Sequence, residues 1–196
     1  YIHGAGVMVL EDFSAPSADA KDKPDAEKAG APGRGKTRFT WKRRLTYDPV
    51  AESIIMLGQI HMRHLPSGRK EQIDMDCEQL LVHFLPDASK KDQADAPTKK
   101  DPTQQKPDGG ADGPMHVRSV EAVNDIHIVQ KRDGSTREID AHRLVYNAST
   151  DQAILRGEPG KPVQILDRAK PQPIRAAEIR WNLKKDLFEV LRAEFR

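Results

Sequence analysis

The sequence predicts an all-β fold of stacked antiparallel strand pairs, interrupted by two long polar insertions. Three observations carry this. Polar and apolar residues alternate in short stretches, as they do in strands with one buried face. Similar segments recur 35 residues apart. And the stretches Ser14 to Lys36 and Pro86 to Pro114 contain no hydrophobic residue except alanine, while holding 8 of the 14 prolines. Such segments cannot bury enough apolar surface to offset the entropy of ordering, so both are expected as disordered loops outside the fold.

The repeat is seen best in three places. Arg44-Leu45-Thr46-Tyr47-Asp48 is followed by Ile55, Leu57 and Gly58. Arg143-Leu144-Val145-Tyr146-Asn147 is followed by Ile154, Leu155 and Gly157, and Glu178-Ile179-Arg180-Trp181-Asn182 by Phe188 and Val190. Tyrosine and glycine lie 11 residues apart in both of the first two copies. A degenerate copy is Gln79-Leu80-Leu81-Val82, with Cys77 where Ala141 and Ala176 stand elsewhere. The anchors Leu45, Leu80, Leu144 and Ile179 are separated by 35, 64 and 35 residues. The middle interval is too long by 29, which is the length of Pro86 to Pro114. Removing that stretch restores the period and aligns Ala122 with Gly58 and Gly157.

Taken in order, Gly6 to Leu10 reads as the tail of a unit, and Arg38-Phe39-Thr40-Trp41 as a strand. Within each unit an aromatic strand runs into Asp48-Pro49 or Asn147-Ala148-Ser149, residue types that hydrogen-bond their own backbone in turns. A second strand follows, at Ser53 to Leu57 and Gln152 to Arg156, and then a small residue that marks a bend or bulge. Beyond the bend come the alternating stretches Gln59-Ile60-His61-Met62, Asp125-Ile126-His127-Ile128 and Pro162-Val163-Gln164-Ile165. In Ala176 to Phe195, Ile179, Leu183, Leu187 and Leu191 stand at helical spacing. The repeat instead predicts a strand, a turn over Asn182 to Asp186 and a second strand, because Trp181 and Asn182 align with Tyr146 and Asn147.

Several functions are excluded or weakened. With 32 Lys+Arg against 30 Asp+Glu and only 5% aromatic residues, the chain lacks both the basic stripe and the stacking platforms of nucleic-acid binders. No apolar run reaches the length of a membrane helix. Residue 1 is Tyr and no signal segment follows it, which predicts a chain cut from a longer precursor. Cys77 is alone, so neither an internal disulfide nor a multi-cysteine metal site can form. His61 and His64 are expected to face opposite ways, and no metal or cofactor is expected. Gly30-Ala31-Pro32-Gly33-Arg34-Gly35-Lys36-Thr37 matches the phosphate-binding loop pattern, but that chemistry needs a strand before it and a helix after it. Here a Lys/Asp/Pro/Ala tract precedes and a strand pattern follows. Asp74, Asp76 and Glu78 alternate along one strand and read as a solvated face without partners. Lys42-Arg43-Arg44 reads as a solvated strand edge. No catalytic constellation is present.

The feature that can carry function is the apolar interior. Leu45, Tyr47, Ile55, Leu57, Leu80, Val82, Ile126, Ile128, Leu144, Tyr146, Leu155, Ile179, Trp181, Phe188 and Val190 are the candidate lining. Stacked unit on unit, they form a continuous apolar lane along the long axis. Such a lane is either a filled core, the ordinary purpose of stacking, or a groove for an apolar ligand.

The motif Ala141-His142-Arg143-Leu144-Val145-Tyr146-Asn147 followed by Ala153-Ile154-Leu155-Arg156-Gly157 resembles the OstA-like domain of periplasmic lipopolysaccharide-transport bridge proteins. The resemblance covers Val120 to Arg196 and, more weakly, Thr37 to Phe84. It departs from the family pattern in the two insertions and in Trp181, which replaces a tyrosine. It implies one open, twisted β-jellyroll domain of V-shaped strand pairs over residues 1–196. It also implies a periplasmic location, a groove that shields the acyl chains of lipopolysaccharide or a similar lipid, and end-to-end strand pairing with other jellyroll modules. Two functions follow as expectations: a non-enzymatic lipid-binding bridge, or a purely structural adaptor with a filled core.

Overall fold

The computed structural model describes residues 2–12, 35–67, 70–85, 116–170 and 172–193. The insertion expected at Pro86 to Pro114 lies outside these residues, as does that at Ser14 to Lys36 except for Gly35 and Lys36. Thirteen strands follow one another, with no helix among the described residues. They are β1 (Ile2–His3), β2 (Gly6–Asp12), β3 (Gly35–Trp41), β4 (Arg44–Asp48), β5 (Ser53–Leu65), β6 (Glu71–Leu85), β7 (His116–Arg132), β8 (Ser135–Asn147), β9 (Gln152–Arg156), β10 (Val163–Asp167), β11 (Ile174–Ala176), β12 (Glu178–Asn182) and β13 (Leu187–Arg192). The all-β expectation holds, and Ala176 to Arg192 is strand, turn and strand rather than helix.

All thirteen strands belong to one antiparallel sheet that does not close on itself. Its main path runs β1-β4-β5-β6-β7-β8-β9-β12-β13, with β2, β3, β10 and β11 branching from it. The branching arises because the long strands change partners midway. The first half of β5 pairs with β4, and its second half with β3. Likewise β8 pairs with β9 through Arg143–Asn147 but with β10 through Arg137–Asp140. The sheet is thus folded into two leaves. One contains β1, β4, β9, β12, β13 and one half of each long strand. The other contains β2, β3, β10, β11 and the remaining halves.

The fold line is written in the backbone. Register shifts fall between Leu57 and Ile60 in β5, Asp76 and Gln79 in β6, and Val123 and Ile126 in β7. Such bulges bend a strand and re-aim its side chains. Gly58 and Gln59 have φ of 81° and 45°, and Asn124 and Asp125 have 66° and 48°. Gly58 is the bend its alignment predicts. In β7 the expected bend at Ala122 is displaced to Asn124–Asp125, since both side-chain types tolerate the left-handed region. Gly157 marks the break between β9 and β10, where a Cβ would lie 2.6 Å from the Lys161 carbonyl oxygen.

The turns repeat as closely as the strands. Asp48 Oδ1 accepts hydrogen bonds from the backbone N–H of Val50 and Ala51, Asn147 Oδ1 from Ser149, and Asn182 Oδ1 from Lys185. Each turn ends on a residue of positive φ: Glu52 at 47°, Asp151 at 51° and Asp186 at 52°. The carbonyls of Glu52 and Asp151 then accept bonds from the backbone N–H of Phe84, near the end of β6, and of Leu183, in the turn between β12 and β13.

The phosphate-loop match does not survive. Gly35, Lys36 and Thr37 belong to β3, paired with β2 on one side and, for Lys36 and Thr37, with β5 on the other. No helix follows them among the described residues.

Candidate functional site

Residues paired across an antiparallel ladder project to the same face. Following the register therefore traces each row of the interior. One rung runs Ile2, Leu45, Met56, Leu80, Ala122, Leu144, Leu155, Ile179, Val190 without a polar residue. The four anchors of the sequence repeat all stand on it. The seven inner members are at most 6% exposed, while Ile2 and Val190 at the ends are 51% and 49% exposed. A second rung in the same leaf runs Tyr47, Ile54, Val82, Val120, Tyr146, Ala153, Trp181, Phe188.

The facing leaf carries an equally long row: Met8, Phe39, Met62, Met75, Ile128, Ile139, Ile165, Ile174. At the fold line Ile60, Ile126 and Val163 pair with Cys77, Ala141 and Ala176. A large residue meets a small one at each crossing, which is why Cys77 stands where the other copies have alanine. The buried residues of both leaves form one hydrophobic cluster.

Most of the expected lining lies on these rows. Leu45, Leu80, Val82, Ile126, Ile128, Leu144, Leu155, Ile179 and Trp181 are buried, and Tyr146 and Phe188 pack against them. Tyr47 and Val190 face the same way but are exposed near the ends of their rungs. Ile55 and Leu57 are on the wrong face. They pair with Thr46 and Arg44, whereas Ile54 and Met56 pair with Tyr47 and Leu45 and point inward. Ser53 to Leu57 has four consecutive apolar residues, so no polar neighbour marks the outer side. Counting back from the glycine gives the correct face: Met56 precedes Gly58 by two, as Leu155 precedes Gly157.

The rows of the second leaf were visible only as alternation. Trp41 and Trp181 are buried, and their indole N–H groups have no hydrogen-bond partner among the described residues. Two unpaired donors inside an apolar interior are an uncommon cost.

At the rim of the second leaf the interior face turns polar. Ile73, Gln130, Arg137 and Asp167 share a rung. Gln130 is 2% exposed; its Nε2 donates to Glu71 Oε1 at 2.6 Å, and its Oε1 accepts from Arg137 Nη1 at 2.8 Å. The Arg137 guanidinium stands 4.8 Å from the centre of the Phe188 ring, which is stacked on Trp181 with centroids 5.3 Å apart.

The outer face is charged and paired. Asp74 bonds Arg63 at 2.6 Å and also Gln72, Asp76 bonds His61 at 2.9 Å, and Glu78 bonds Arg43 at 3.3 Å. The three carboxylates expected to lack partners thus have them, supplied by the neighbouring strand and the corner. His127 pairs with Asp140 and Arg143 with Glu121, at 2.8 and 2.7 Å. His64 is turned instead to Thr37, 2.8 Å away. Such exposed pairs are worth up to about 1 kcal/mol each. They set which face is wet rather than hold the fold. Among the described residues no group of His, Cys, Asp or Glu is arranged to bind a metal ion.

A pocket of about 710 Å³ lies at the corner, lined among others by Gly6, Val7, Trp41, Ile60, His61 and Cys77. No residue of the Leu45–Ile179 rung lines it. Burial pushes the Cys77 thiol up to about 12, with help from the carboxylates of Asp76 and Glu78.

No protein-family model matches the chain, and a search of curated proteins finds none similar to it. A search of solved structures does find a likeness. The fold is shared with LptH of Pseudomonas aeruginosa, the LptA-homologous periplasmic component of the lipopolysaccharide transport device. The likeness covers 80% of this chain and 82% of that one, with a TM-score of 0.51 and 10% identity.

Proposed function

We propose that this chain is a non-enzymatic module of lipopolysaccharide-type lipid transport in the periplasm, holding acyl chains between its leaves and joining partners through its sheet edges. The observation that carries the reading is the unbroken apolar rung from Leu45 to Ile179, ending on exposed Ile2 and Val190. A globular core has no need to reach both ends of a sheet. A conduit assembled from several modules does, because the lane must continue from one to the next. The fold shared with LptH supports the same reading.

The chemistry is burial rather than catalysis. Each methylene transferred from water to the lane contributes about 0.8 kcal/mol. Several acyl chains therefore supply ample free energy to separate two leaves. The unpaired indole donors of Trp41 and Trp181 suit the ester and hydroxyl oxygens of such chains. Among the described residues β1 and β13 end the main strand path, and a sheet end of this kind can be extended by a strand from another module.

A second reading is favoured by one observation. The middle of the lane is packed shut, with Met56, Leu80, Ala122 and Leu155 all at 0% exposure. On that basis the module is an adaptor with a filled core and no lipid ligand.

Photo-crosslinking separates the two. A photoreactive residue at Leu144 or Leu155 captures lipopolysaccharide if the lane admits acyl chains. The same probe at Arg143, which projects outward beside Glu121, captures none. Leu144→Asp lowers capture in protein that still folds. Equal labelling from the inward and outward positions, or none from folded protein, leaves the adaptor as the function.

A further inference from the structure

The polar rim of the second leaf reaches across to the first. Asp186 ends the β12–β13 turn, in the leaf opposite Arg137. Its Oδ1 accepts from Arg137 Nη1 at 2.8 Å and from Gln130 Nε2 at 3.4 Å, and its Oδ2 stands 3.5 Å from Arg132. Arg137 is held in turn by Gln130 and by Asp167, 3.5 Å from its Nη2. The side chains of Arg137, Asp167 and Asp186 are only 18%, 16% and 20% exposed. Arg137 also covers the Phe188 ring, on the inner face of the first leaf.

We propose that Arg137 and Asp186 form a latch that holds the two leaves together over the Trp181–Phe188 pair, and that the lane admits acyl chains by releasing it. The geometry requires that any separation of the leaves at this end part Asp186 from Arg137. The balance is suited to reversible opening. A half-buried ion pair gains attraction but forfeits hydration, so opening returns to both charges what closure took away. An apolar contact in the same place would have nothing to regain from water and would stay shut. The purpose of the latch rests on the lipid-carrier reading; its mechanics do not.

The test uses two mild variants of the full chain. Asp186→Asn removes the charge while keeping a residue type that tolerates the positive φ of the turn. Arg137→Met keeps the apolar stem and loses the guanidinium. Each is placed in a Trp41→Phe background, so that acrylamide quenching reports Trp181 alone, and is followed also by hydrogen exchange of the β12 and β13 amides. Both variants are expected to raise local opening roughly tenfold, and the double variant to add little to the more open single one. Unchanged quenching and exchange in both folded single variants, or fully additive effects in the double, overturn the latch.

Purified lipopolysaccharide, offered to the Leu155 photoprobe, separates the two proposals. Faster capture in Asp186→Asn supports both. Capture at the wild-type rate with raised quenching shows that opening here does not gate the lane, and overturns the gating role. No capture by any form, with raised quenching, keeps the latch as a mechanical device and removes the lipid-carrier reading.

Discussion

Leu80 and Leu144 face each other across Ala122, from strands on either side of β7, and all three side chains are at most 6% exposed. Ala122 is the smallest side chain on the Leu45–Ile179 rung, and at 0% exposure it has no free space around it.

Ala122→Phe is expected to overfill this point and destabilise the chain by about 1–3 kcal/mol, whereas Leu80→Ala removes packing worth about 2–5 kcal/mol. Urea unfolding followed by far-UV circular dichroism measures both. A change below about 0.5 kcal/mol in either, the size of an ordinary surface substitution, would mean that the leaves do not close on each other at Ala122.

The Cys77 thiol, held at about 12 in the fold, is expected to stay unreactive toward a disulfide reagent at pH 8, since the thiolate is the nucleophile. Titrating urea should release the reaction in step with unfolding. Rapid labelling in native buffer would show that the corner pocket lined by Cys77 gives a reagent access to the sulfur in the folded chain.

Asp74 predicts the acid limb of stability. Burial raises its pKa, but the bonds from Arg63 and Gln72 and the charge of Arg63 outweigh burial and leave it below 3.8. The folded state thus holds the carboxylate ionised more firmly than the unfolded chain does. Its contribution is complete above about pH 5, where both states are ionised, and is lost as pH falls toward and through the folded value. Asp74→Asn should cost up to about 1 kcal/mol at pH 7, with the difference from wild type shrinking in acid. A difference that stays constant from pH 7 to pH 2 would remove the electrostatic account.

Replacing Pro86 to Pro114 by a short turn is expected to leave unfolding cooperative, with a thermal midpoint close to that of the full chain. Leu85 and His116 are paired across β6 and β7, so the flanking ends already lie side by side. Closing a shorter loop costs slightly less entropy. Loss of cooperative unfolding would show that this segment supports the sheet.

Much of this was legible because each repeat unit meets the same local demand. An aspartate or asparagine after the aromatic strand must supply the turn with an acceptor, so Asp48, Asn147 and Asn182 recur and expose the period. The anchors recur because they share one rung. Legibility failed where a local cue was absent or misleading. Ile55 and Leu57 were misassigned because β5 is apolar on both faces at its start. Gly35 and Lys36 looked like part of a polar tract although they are strand. The latch was invisible, because Glu71, Gln130, Arg137 and Asp186 meet only once both leaves are in place. The carboxylate partners of β6 lie on another strand and the corner, and only the register brings them together.

The long strands pass through both leaves, and that bears on how the molecule comes apart. Neither leaf can melt as a unit while the other persists, since β5, β6, β7 and β8 would have to be half formed. Amide protection should therefore grade from the terminal strands inward, not from leaf to leaf. The slowest-exchanging protons should include those on both sides of the fold line in β6 and β7. Damage at either terminus then stays where it occurs, whereas a break in one of the four shared strands reaches both halves at once.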